Sequence, residues 1–505
     1  MNVKIITILF VFSGILTALS FIFPEFYFIV FISFTPTFYS IISKRTTAFT
    51  AMFFHLYTFY IFADLWFFSV GYNYTEKKSG FFLSFFIVTA IALILSMTAS
   101  FPFMLLNKFK TDNPIVLTFT VSFLYILGEW LHGISPISFS WNRLCNIVSC
   151  NSSIISSCSL FGGLFVSLVI IMINMCFAYF LYFIRTNKIT SVLCFVSASV
   201  IFLINIIIGN TADIYYKTDI TDSSEILLIQ PNYTREIKRN LSNNQKLDGY
   251  LKQAEANITD KTELIILPET AISHDFFTDS SYKNRISDFA KEKEISMLFG
   301  TSKYADNKKY NSCILLYPNG NLSRMYAKRK LVPFGEYTPS FLPQNLHFLK
   351  NTFSKGNETA VIESTIGKIG CAICFESVFP SVCCENARHG AEFLVILSND
   401  SWLGNNVPLY QHHSHSIIRA AENRKYTITC ANTGISSVIA PDGKIISASE
   451  KNQKQSILAE ISPNNIITLY AKYGDLIIIP SILLFIILLL SRCIYLIKNL
   501  HIVFF

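Results

Sequence analysis

The chain has 505 residues, of which 51% are hydrophobic and 47 are phenylalanine. Long uncharged runs hold most of these side chains, and this distribution excludes a protein that is soluble along its whole length. The formal net charge of +8 comes mainly from lysines and arginines that flank the apolar runs. No basic groove interleaved with aromatic residues is evident, so we expect no nucleic-acid partner.

Eight apolar runs predict membrane-spanning helices, because about 20 apolar residues cross the roughly 30 Å hydrocarbon core of a bilayer. They are Ile5–Phe23, Phe26–Ile42, Ala48–Val70, Phe81–Leu105, Ile115–Leu131, Leu160–Ile184, Thr190–Gly209 and Leu476–Ile497. A cleaved signal peptide is the alternative for the first run, but no small-residue cleavage site precedes the next one. We therefore predict a membrane bundle at 1–211, a water-soluble domain at 212–473, and a final span with its tail at 474–505.

The charges between these runs predict the orientation of the bundle. With the N-terminus in the cytoplasm, the cytoplasmic side holds Lys44, Arg45, Lys108, Lys110, Arg185, Lys188 and Lys498, and the opposite side holds Lys77, Lys78 and Arg143. An excess of Lys and Arg marks the cytoplasmic side of a membrane. The soluble domain is therefore expected to face outward, into a periplasm or its equivalent.

The soluble segment alternates strand-like and helix-like stretches. Strands are predicted near Ile226–Gln230, Leu264–Leu267, Ser296–Lys303, Ser312–Tyr317, Arg324–Lys328, Ala360–Ile366, Lys368–Cys374, Phe393–Leu397, Thr427–Ala431, Ser436–Ile439 and Ile457–Ile461, and helices over Arg235–Asn257, Tyr282–Lys293, Pro380–His389 and Pro408–Arg424. Helices interleaved with two strand-rich regions indicate two sheets with helices outside them, an α/β sandwich. The predicted fold is a bundle of about eight membrane helices carrying this inserted domain.

Three strand ends carry the side chains of nucleophilic acyl chemistry. Glu269 follows the apolar strand at Leu264–Leu267, Lys328 leads into a Pro/Gly turn, and Cys374 ends the alternating strand at Lys368–Cys374. A thiol held at a strand end above backbone N–H groups suits acyl transfer through a thioester. Arg329 and Lys330 compete with Lys328 for the role of the cation, and Cys371 competes with Cys374 for that of the nucleophile.

The twelve cysteines also raise the questions of disulfides and metals. A bridge among Cys145, Cys150 and Cys158, which share an outward loop, is left open. Cys371 and Cys374 are expected on opposite faces of a strand, which disfavours a zinc site. His412, His413 and His415 are either metal ligands or, more commonly for such a cluster, one polar helix face. We predict no metal and no cofactor.

Eight short motifs follow one another along the chain: Gly128–Leu131, Gln230–Asn232, Pro268–Ala271, Leu331–Glu336, Cys374–Glu376, Ser398–Gly404, Arg419–Glu422 and Ala431–Gly434. In their order and spacing the chain resembles the apolipoprotein N-acyltransferase family, the integral-membrane branch of the nitrilase superfamily. Phe375 stands where the family often has tyrosine, and Arg239 where it often has tryptophan.

The resemblance implies a two-step transfer by a monomer in the bacterial inner membrane. A phospholipid gives its sn-1 acyl chain to Cys374, and the diacylglyceryl-cysteine of an apolipoprotein then accepts it. Glu269 is implied as the general base and Lys328 as the oxyanion stabiliser. The supporting residues are Glu336, Phe375, whose backbone N–H helps the oxyanion, and Glu376, which could instead be a plain turn cap.

The resemblance also suggests substrate contacts, and two other functions remain open. The possible contacts are Arg239, Trp402, Glu129 and Trp130, although Glu129 could merely lie at the headgroup level. The alternative enzyme is a membrane-tethered amidase of nitrilase type that hydrolyses a small amide. The alternative outside enzymology is a transporter or receptor with an outward ligand domain, against which stand the few charges within the spans.

Overall fold

The computed structural model describes residues 3–68, 70, 78–106, 111–134, 138–217, 223–339, 352–404 and 406–503. The chain divides into two compact units, one formed by Met1–Ala212 with Asp475–Phe505 and the other by Asp213–Gly474. Lys77, Lys108 and Lys110, used above to predict orientation, lie outside the described residues, as do the side chains of Lys78 and Lys498.

The first unit is helical. Its described helices are Val3–Ile22, Pro24–Ile29 (3₁₀), Val30–Ser33, Thr35–Ile42, Ala48–Ala63, Lys78–Ser100, Phe101–Met104 (3₁₀), Pro114–Ile134, Leu144–Ile147, Ser152–Ile155, Cys158–Phe161, Gly163–Phe183, Lys188–Tyr215 and Ile478–Val503.

The length and apolar composition of the helices indicate which of them could cross a membrane. Five described helical segments are long and apolar enough to span a bilayer: Pro24–Ile42, Gly80–Met104, Pro114–Ile134, Gly163–Phe183 and Lys188–Tyr215. The first, third and eighth predicted runs form shorter apolar helices, at Ile6–Ile22, Ala48–Ala63 and Ile478–Ile494. Every predicted run therefore contains a helix, which confirms the multi-span helical fold class.

The second predicted span differs in detail because it is broken. Pro24 begins a 3₁₀ turn in which Phe26 leaves helical geometry, with φ −101° and ψ 16°. Pro36 lies in the first turn of the helix Thr35–Ile42. Proline has no N–H to donate and is tolerated only where a helix begins, so the run is divided into short helices.

A polar cluster lies inside the helical unit and has its hydrogen bonds made internally. The ring of His55 bonds to the hydroxyls of Thr17, at 3.1 Å from Nε2, and Thr37, at 3.0 Å from Nδ1. Thr37 also donates to Ser13, at 3.0 Å. Buried polar groups are costly without partners, and this cluster provides them within the unit.

The second unit is an α/β sandwich of two six-stranded sheets, which confirms that predicted class. Sheet one has the order β12-β1-β2-β3-β4-β5. Its strands are β1 Ser224–Gln230, β2 Thr262–Ile266, β3 Ser296–Ala305, β4 Lys308–Leu316, β5 Tyr326–Ala327 and β12 Gln455–Ile461. Strands β1, β2 and β3 run parallel, and their neighbours outward run antiparallel.

Sheet two repeats this arrangement. Its order is β11-β10-β9-β8-β7-β6, with β7, β8 and β9 parallel. The strands are β6 Val361–Ser364, β7 Gly367–Ile373, β8 Phe393–Ser398, β9 Thr427–Ala431, β10 Ser437–Ile439 and β11 Ile445–Ala448. Strand β11 was not predicted. Its residues Ile445–Ala448 are largely exposed, so they do not show the apolar pattern of a buried strand.

The helices of this unit complete the layers. They are Arg235–Asn240, Asn243–Glu255, Ser280–Glu292, Pro380–Arg388, Asn406–Asn423 and Leu469–Tyr473, with 3₁₀ turns at His274–Phe277, Cys374–Val378 and Asp400–Trp402. The predicted helix Arg235–Asn257 is two helices, because Ser242 caps the second one through a reciprocal bond with Gln245.

The core has two layers, one on each face of sheet one, and successive side chains of a strand enter them alternately. In β1, Ile226 and Leu228 face the core between the sheets, while Leu227 and Ile229 face the layer with Leu247 and other helix residues. A sheet that is buried on both faces shows a continuous apolar run instead of alternation. The parallel strands end at a common edge of each sheet, and candidate site residues follow those ends.

Candidate active site

Glu269 follows β2 at a turn that neighbouring backbone packs against closely. The next residue, Thr270, has φ +51°. A Cβ on Gly300 of β3 would lie 2.7 Å from the Cα of Glu269 and 2.6 Å from the N of Thr270. Because such distances allow no side chain, glycine at position 300 lets β3 hold the Glu269 turn in place.

Lys328 follows β5 and is paired with two carboxylates. Its side chain is 1% exposed, and its Nζ lies 2.9 Å from Oε1 of Glu336 and 3.6 Å from Oε1 of Glu269. The backbone N–H of Lys328 donates to the carbonyl of Asn311 at 2.8 Å. The structure therefore brings Glu269, Lys328 and Glu336 into one buried cluster.

The two basic neighbours of Lys328 point elsewhere. The guanidinium of Arg329 pairs with Glu385, with Nη1 2.5 Å from Oε2. The ammonium of Lys330 lies 5.2 Å from the ring centroid of Phe379. Of the three candidate cations, Lys328 is the one whose ammonium pairs with Glu269.

Asn311, on β4, connects the two acids, and the sequence analysis missed it. Its Nδ2 donates to Oε1 of Glu269 at 2.6 Å and to Oε1 of Glu336 at 3.1 Å. Glu336 also accepts the backbone N–H of Val332 at 2.8 Å. No sequence signal pointed to it, because Asn311 precedes the apolar stretch Ser312–Tyr317 from which this strand was predicted.

Cys374 lies directly beyond β7, buried, with φ +52°. The left-handed conformation costs an L-residue roughly 1–2 kcal/mol, so the surrounding contacts must hold this turn. Both Cys374 and Cys371 border the core between the sheets. Their expected separation onto opposite faces is not observed, because Cys374 has already left the strand.

Glu376 connects the turn that begins at Cys374 to the segment that holds Lys328. Its Oε1 accepts the backbone N–H groups of Arg329 at 2.6 Å and Lys330 at 3.0 Å. Its Oε2 accepts the hydroxyl of Tyr326 and the N–H of Ile373, both at 2.8 Å. Glu376 is therefore more than a turn cap, since it ties β5 to β7.

The charges of the cluster set the protonation behaviour of the acid and the thiol. Burial raises the pKa of Glu269 above its usual value, and the Lys328 ammonium opposes that shift, while Glu336 adds to it. Burial likewise raises the pKa of Cys374 well above its usual value; the charge of Glu269 adds to this, and that of Lys328 opposes it. The resting thiol is thus protonated, and Glu269, whose charge acts on it, is a weaker acid than an exposed carboxyl.

Lys328 remains charged within this cluster. Burial lowers its pKa, but the carboxylates of Glu336 and Glu269 outweigh burial and raise that pKa above its usual value. A buried ammonium paired with two acids supplies a fixed positive charge within this site.

Two further polar residues meet Cys374. The Sγ of Cys374, an oxygen of Asp400 and a ring nitrogen of His412 lie within 4.8 Å of one another. Asp400 follows β8, and His412 lies on the helix Asn406–Asn423. The sequence placed His412 on a polar helix face, and its contact with the nucleophile turn could not be inferred because it depends on how that helix packs.

The other predicted site residues lie in different surroundings. Phe375 is buried and meets Phe379 edge-to-face, with ring centroids 5.3 Å apart. Trp402 is half-buried in the turn after β8, and Arg239 is exposed at the end of the helix Arg235–Asn240. The structure thus leaves their contact with substrate as a prediction.

Glu129 and Trp130 lie in the helical unit, on Pro114–Ile134. Glu129 is buried, and its Oε1 accepts the backbone N–H of Leu144 at 2.8 Å. Gly128 packs against Ala99, whose backbone leaves no room for a Cβ. Glu129 is therefore held inside its unit by a backbone hydrogen bond, and Trp130 beside it is half-buried.

A cavity of about 260 Å³ borders the turn after Glu269. It is lined by Lys238, Lys246 and Lys309, and by no carboxylate among the described residues. Burial lowers the pKa of Lys238 to about 8, which Glu269 opposes and Lys246 reinforces. Three lysines without an opposing carboxylate in the described lining favour an anionic ligand group such as phosphate.

The cysteines form no disulfide among the described residues. Cys145, Cys150 and Cys158, for which a bridge was left open, are thiols.

Two family models match the chain. A carbon-nitrogen hydrolase model covers residues 228–470, and a model of the apolipoprotein N-acyltransferase N-terminal domain covers residues 13–176. The first match contains Glu269, Lys328 and Cys374, and the second lies within the helical unit.

Curated relatives from three bacteria carry the same printed name, apolipoprotein N-acyltransferase. The protein of Geobacter metallireducens is 32% identical over 50% of this chain and 50% of its own length, so this chain spans half of that relative. Those of Borreliella burgdorferi and Thermotoga maritima are 27% and 25% identical, over 81% and 78% of this chain and 82% and 75% of their own lengths. Among solved structures, Saccharomyces cerevisiae Nit3, a member of branch 10 of the nitrilase superfamily, aligns over 52% of this chain and 97% of its own, with 21% identity and a TM-score of 0.40.

Proposed function

This chain belongs to the apolipoprotein N-acyltransferase family, and on that basis we propose that it transfers an acyl chain from a phospholipid to an apolipoprotein. The acceptor is the N-terminal α-amino group of diacylglyceryl-cysteine, and the intermediate is a thioester on Cys374. One observation carries the proposal: a buried thiol shares one site with a carboxyl of raised pKa and a doubly paired ammonium.

In the first half-reaction, Glu269 takes the proton of the Cys374 thiol as sulfur attacks the sn-1 ester carbonyl. The tetrahedral intermediate collapses when the C–O bond to glycerol breaks. Glu269 returns the proton to the departing oxygen, which yields a lysophospholipid and the thioester. The raised pKa of Glu269 suits this exchange, because it makes the carboxylate a stronger base than an exposed glutamate.

In the second half-reaction, the α-amine of the acceptor attacks the thioester carbonyl. Glu269 takes a proton from the amine, the C–S bond breaks, and the Cys374 sulfur regains a proton. An amide is formed and the enzyme returns to its starting state. The cycle is ping-pong, because the lysophospholipid leaves before the acceptor reacts at the same sulfur.

Negative charge builds on the carbonyl oxygen in both tetrahedral intermediates. The Lys328 ammonium and the backbone N–H of Phe375 stabilise it in this proposal, and the loss of one such donor typically costs about 10²–10³ in rate. Glu336 holds Lys328 from the other side, at 2.9 Å. None of these steps requires a metal or a cofactor.

The rest of the molecule fits lipid substrates. The lysine-lined cavity beside Glu269 favours the phosphate of a phospholipid donor. The apolar helices suit a bacterial inner membrane protein, whose substrates are themselves anchored in the bilayer. We propose the bundle at 1–211 and 474–505, the catalytic domain at 212–473 facing the periplasm, and a monomeric enzyme. Arg239, Trp402, Glu129 and Trp130 remain proposed substrate contacts.

The decisive experiment supplies phospholipid labelled in its sn-1 acyl chain together with a diacylated lipopeptide. We expect the label in an amide of the lipopeptide and an equal amount of lysophospholipid. The alternative, an amidase of small amides, would use the same three residues without any need for the apolar helices. Hydrolysis of small amides with no label on the lipopeptide would favour that alternative and reject acyl transfer.

A further inference from the structure

His412 lies between two hydrogen-bond acceptors beside the nucleophile. Its Nδ1 is 3.0 Å from Oδ1 of Asp400, and its Nε2 is 3.2 Å from the carbonyl oxygen of Cys374. All three residues are buried. Neither Asp400 nor His412 has a role in the reaction described above.

The identity of these acceptors fixes the protons on the ring. A backbone carbonyl can only accept, so Nε2 must donate. The Asp400 carboxylate, whose Oδ1 accepts the hydroxyl of Ser398 at 2.7 Å, has no proton to donate, so Nδ1 donates to it. Only the imidazolium form of histidine donates from both nitrogens. Burial opposes this charge, but the Asp400 carboxylate outweighs burial and raises the pKa of His412.

Asp400 is held rigidly for this pairing. Ser398 donates to it from the end of β8. On its other side, a Cβ on Gly434 would lie 2.6 Å from Oδ2 of Asp400, and Gly434 has φ +106°. Glycine at position 434 therefore allows the backbone to approach the carboxylate, which leaves Asp400 little freedom to turn away from His412.

The carbonyl that His412 holds belongs to a particular peptide unit. In a trans peptide the C=O of one residue and the N–H of the next lie in one plane and point in opposite directions. The unit that carries the Cys374 carbonyl also carries the N–H of Phe375, the oxyanion donor of the proposed reaction. A cationic donor on the carbonyl both orients this unit and polarises its N–H.

We infer that His412, held by Asp400, is a positioning residue that orients and polarises the Cys374–Phe375 peptide so that its N–H faces the oxyanion. This inference rests on the proposed acyl transfer. It also accounts for how the strained turn at Cys374, with φ +52°, is kept in place.

The test separates oxyanion stabilisation from thiol reactivity. In His412→Gln the side chain is neutral and cannot serve both acceptors, and Asp400→Asn removes the carboxylate that holds the ring. His413→Gln is the matched control, because His413 is also buried and bonds through Nε2 to Ser437 at 2.7 Å, away from the nucleophile. The full-length protein in detergent is assayed for acyl-enzyme formation from phospholipid, and for alkylation of Cys374 by iodoacetamide, followed by mass spectrometry.

Acyl-enzyme formation should fall about 10²-fold in His412→Gln and Asp400→Asn, the loss that a misplaced catalytic group can cause. The phospholipid KM should be unchanged. Alkylation should stay within about twofold of the wild type, because displacement at iodoacetamide forms no oxyanion. His413→Gln should keep both rates.

Two results would overturn the inference. One is acyl-enzyme formation in His412→Gln within about twofold of the wild type. The other is an equal fall in acylation and alkylation, which would show that His412 acts on the thiol or on the folding of the turn. A soluble p-nitrophenyl acyl ester serves as a second acyl donor. If the wild type accepts this ester but no phospholipid, the proposed function fails while the inference about His412 is still decided.

Discussion

At the scale of single residues, the ammonium of Lys328 lies at unequal distances from its two carboxylates, and this difference separates their proposed roles. Glu336, at 2.9 Å, is the permanent partner of the ammonium, while Glu269, at 3.6 Å, keeps more freedom to exchange a proton. A compact ammonium can serve both acids and still face an oxyanion, since its three donors lie on one nitrogen. The role proposed for Lys328 depends on this geometry as much as on its charge.

Lys328→Arg should therefore be nearly as damaging as Lys328→Ala, each lowering acyl-enzyme formation by about 10²-fold or more. A planar guanidinium keeps the charge but cannot occupy the same buried position. Lys330→Ala, whose ammonium lies over Phe379, should change the rate little. Acyl-enzyme accumulation without acceptor measures all three. Severe loss in Lys330→Ala with little in Lys328→Ala would mean that the wrong lysine has been assigned.

Asn311 gives a pH-dependent prediction. Its hydrogen bond stabilises the Glu269 carboxylate and lowers a pKa that burial raises. Asn311→Ala removes that bond, so the pKa of Glu269 should rise further. At any pH on the acid side of the pH–rate profile, a smaller fraction of Glu269 is then deprotonated and able to act as a base.

The acid limb of kcat/KM should accordingly move to higher pH in Asn311→Ala. The exposed Asn321→Ala is the control and should keep the wild-type limb. A limb that stays in place or moves to lower pH in Asn311→Ala would contradict Glu269 as the titrating base.

At the scale of structural elements, Glu376 joins two strands that no local pattern connects. Its two oxygens accept four hydrogen bonds, two from the segment after β5 and one each from Tyr326 and Ile373. Lys328 and Cys374 are thereby held in fixed relation, although 46 positions separate them (374 − 328).

Glu376→Gln should lower the free energy of unfolding by about 1–3 kcal/mol, the usual cost of a buried polar group left without a partner. The amide nitrogen would face the N–H of Ile373, and two donors cannot bond to each other. The rate of acyl-enzyme formation should fall together with this loss of stability. Glu385→Gln, which removes the partly exposed partner of Arg329, is the control and should cost about 1 kcal/mol or less. Equal thermal stability of the two variants would contradict this role of Glu376.

The sequence allowed some of these elements to be predicted and not others. The apolar runs, the parallel strands and the strand-end positions of Glu269 and Cys374 follow from local patterns of hydrophobicity and turn residues. Asn311 and the pair of Asp400 with His412 could not be predicted, because they meet only through the register of β4 and the packing of the helix Asn406–Asn423. The break in the second span was not predicted, because the run Phe26–Ile42 was predicted to be helical from its apolar composition, although Pro36 lies inside it.

At the scale of the whole molecule, the orientation in the membrane remains a prediction. A cysteine introduced at the exposed turn residue Asn321 should react with a membrane-impermeant maleimide from the periplasmic side, in a background without the native soluble-domain thiols. A cysteine at Thr46 should not react, because Lys44 and Arg45 predict a cytoplasmic position for that connection. Labelling at Thr46 alone would invert the topology and place the catalytic domain away from its proposed acceptors.

The central claim is that Cys374 carries the acyl chain as a thioester. The most direct measurement is the formation of a hydroxylamine-sensitive acyl-enzyme from labelled phospholipid, in the absence of acceptor. Cys374→Ala should abolish it. Cys371→Ala should retain it, because Cys371 lies within β7 in the core between the sheets. A Cys374→Ala protein that still trapped the acyl chain as a thioester would contradict the assignment of the nucleophile.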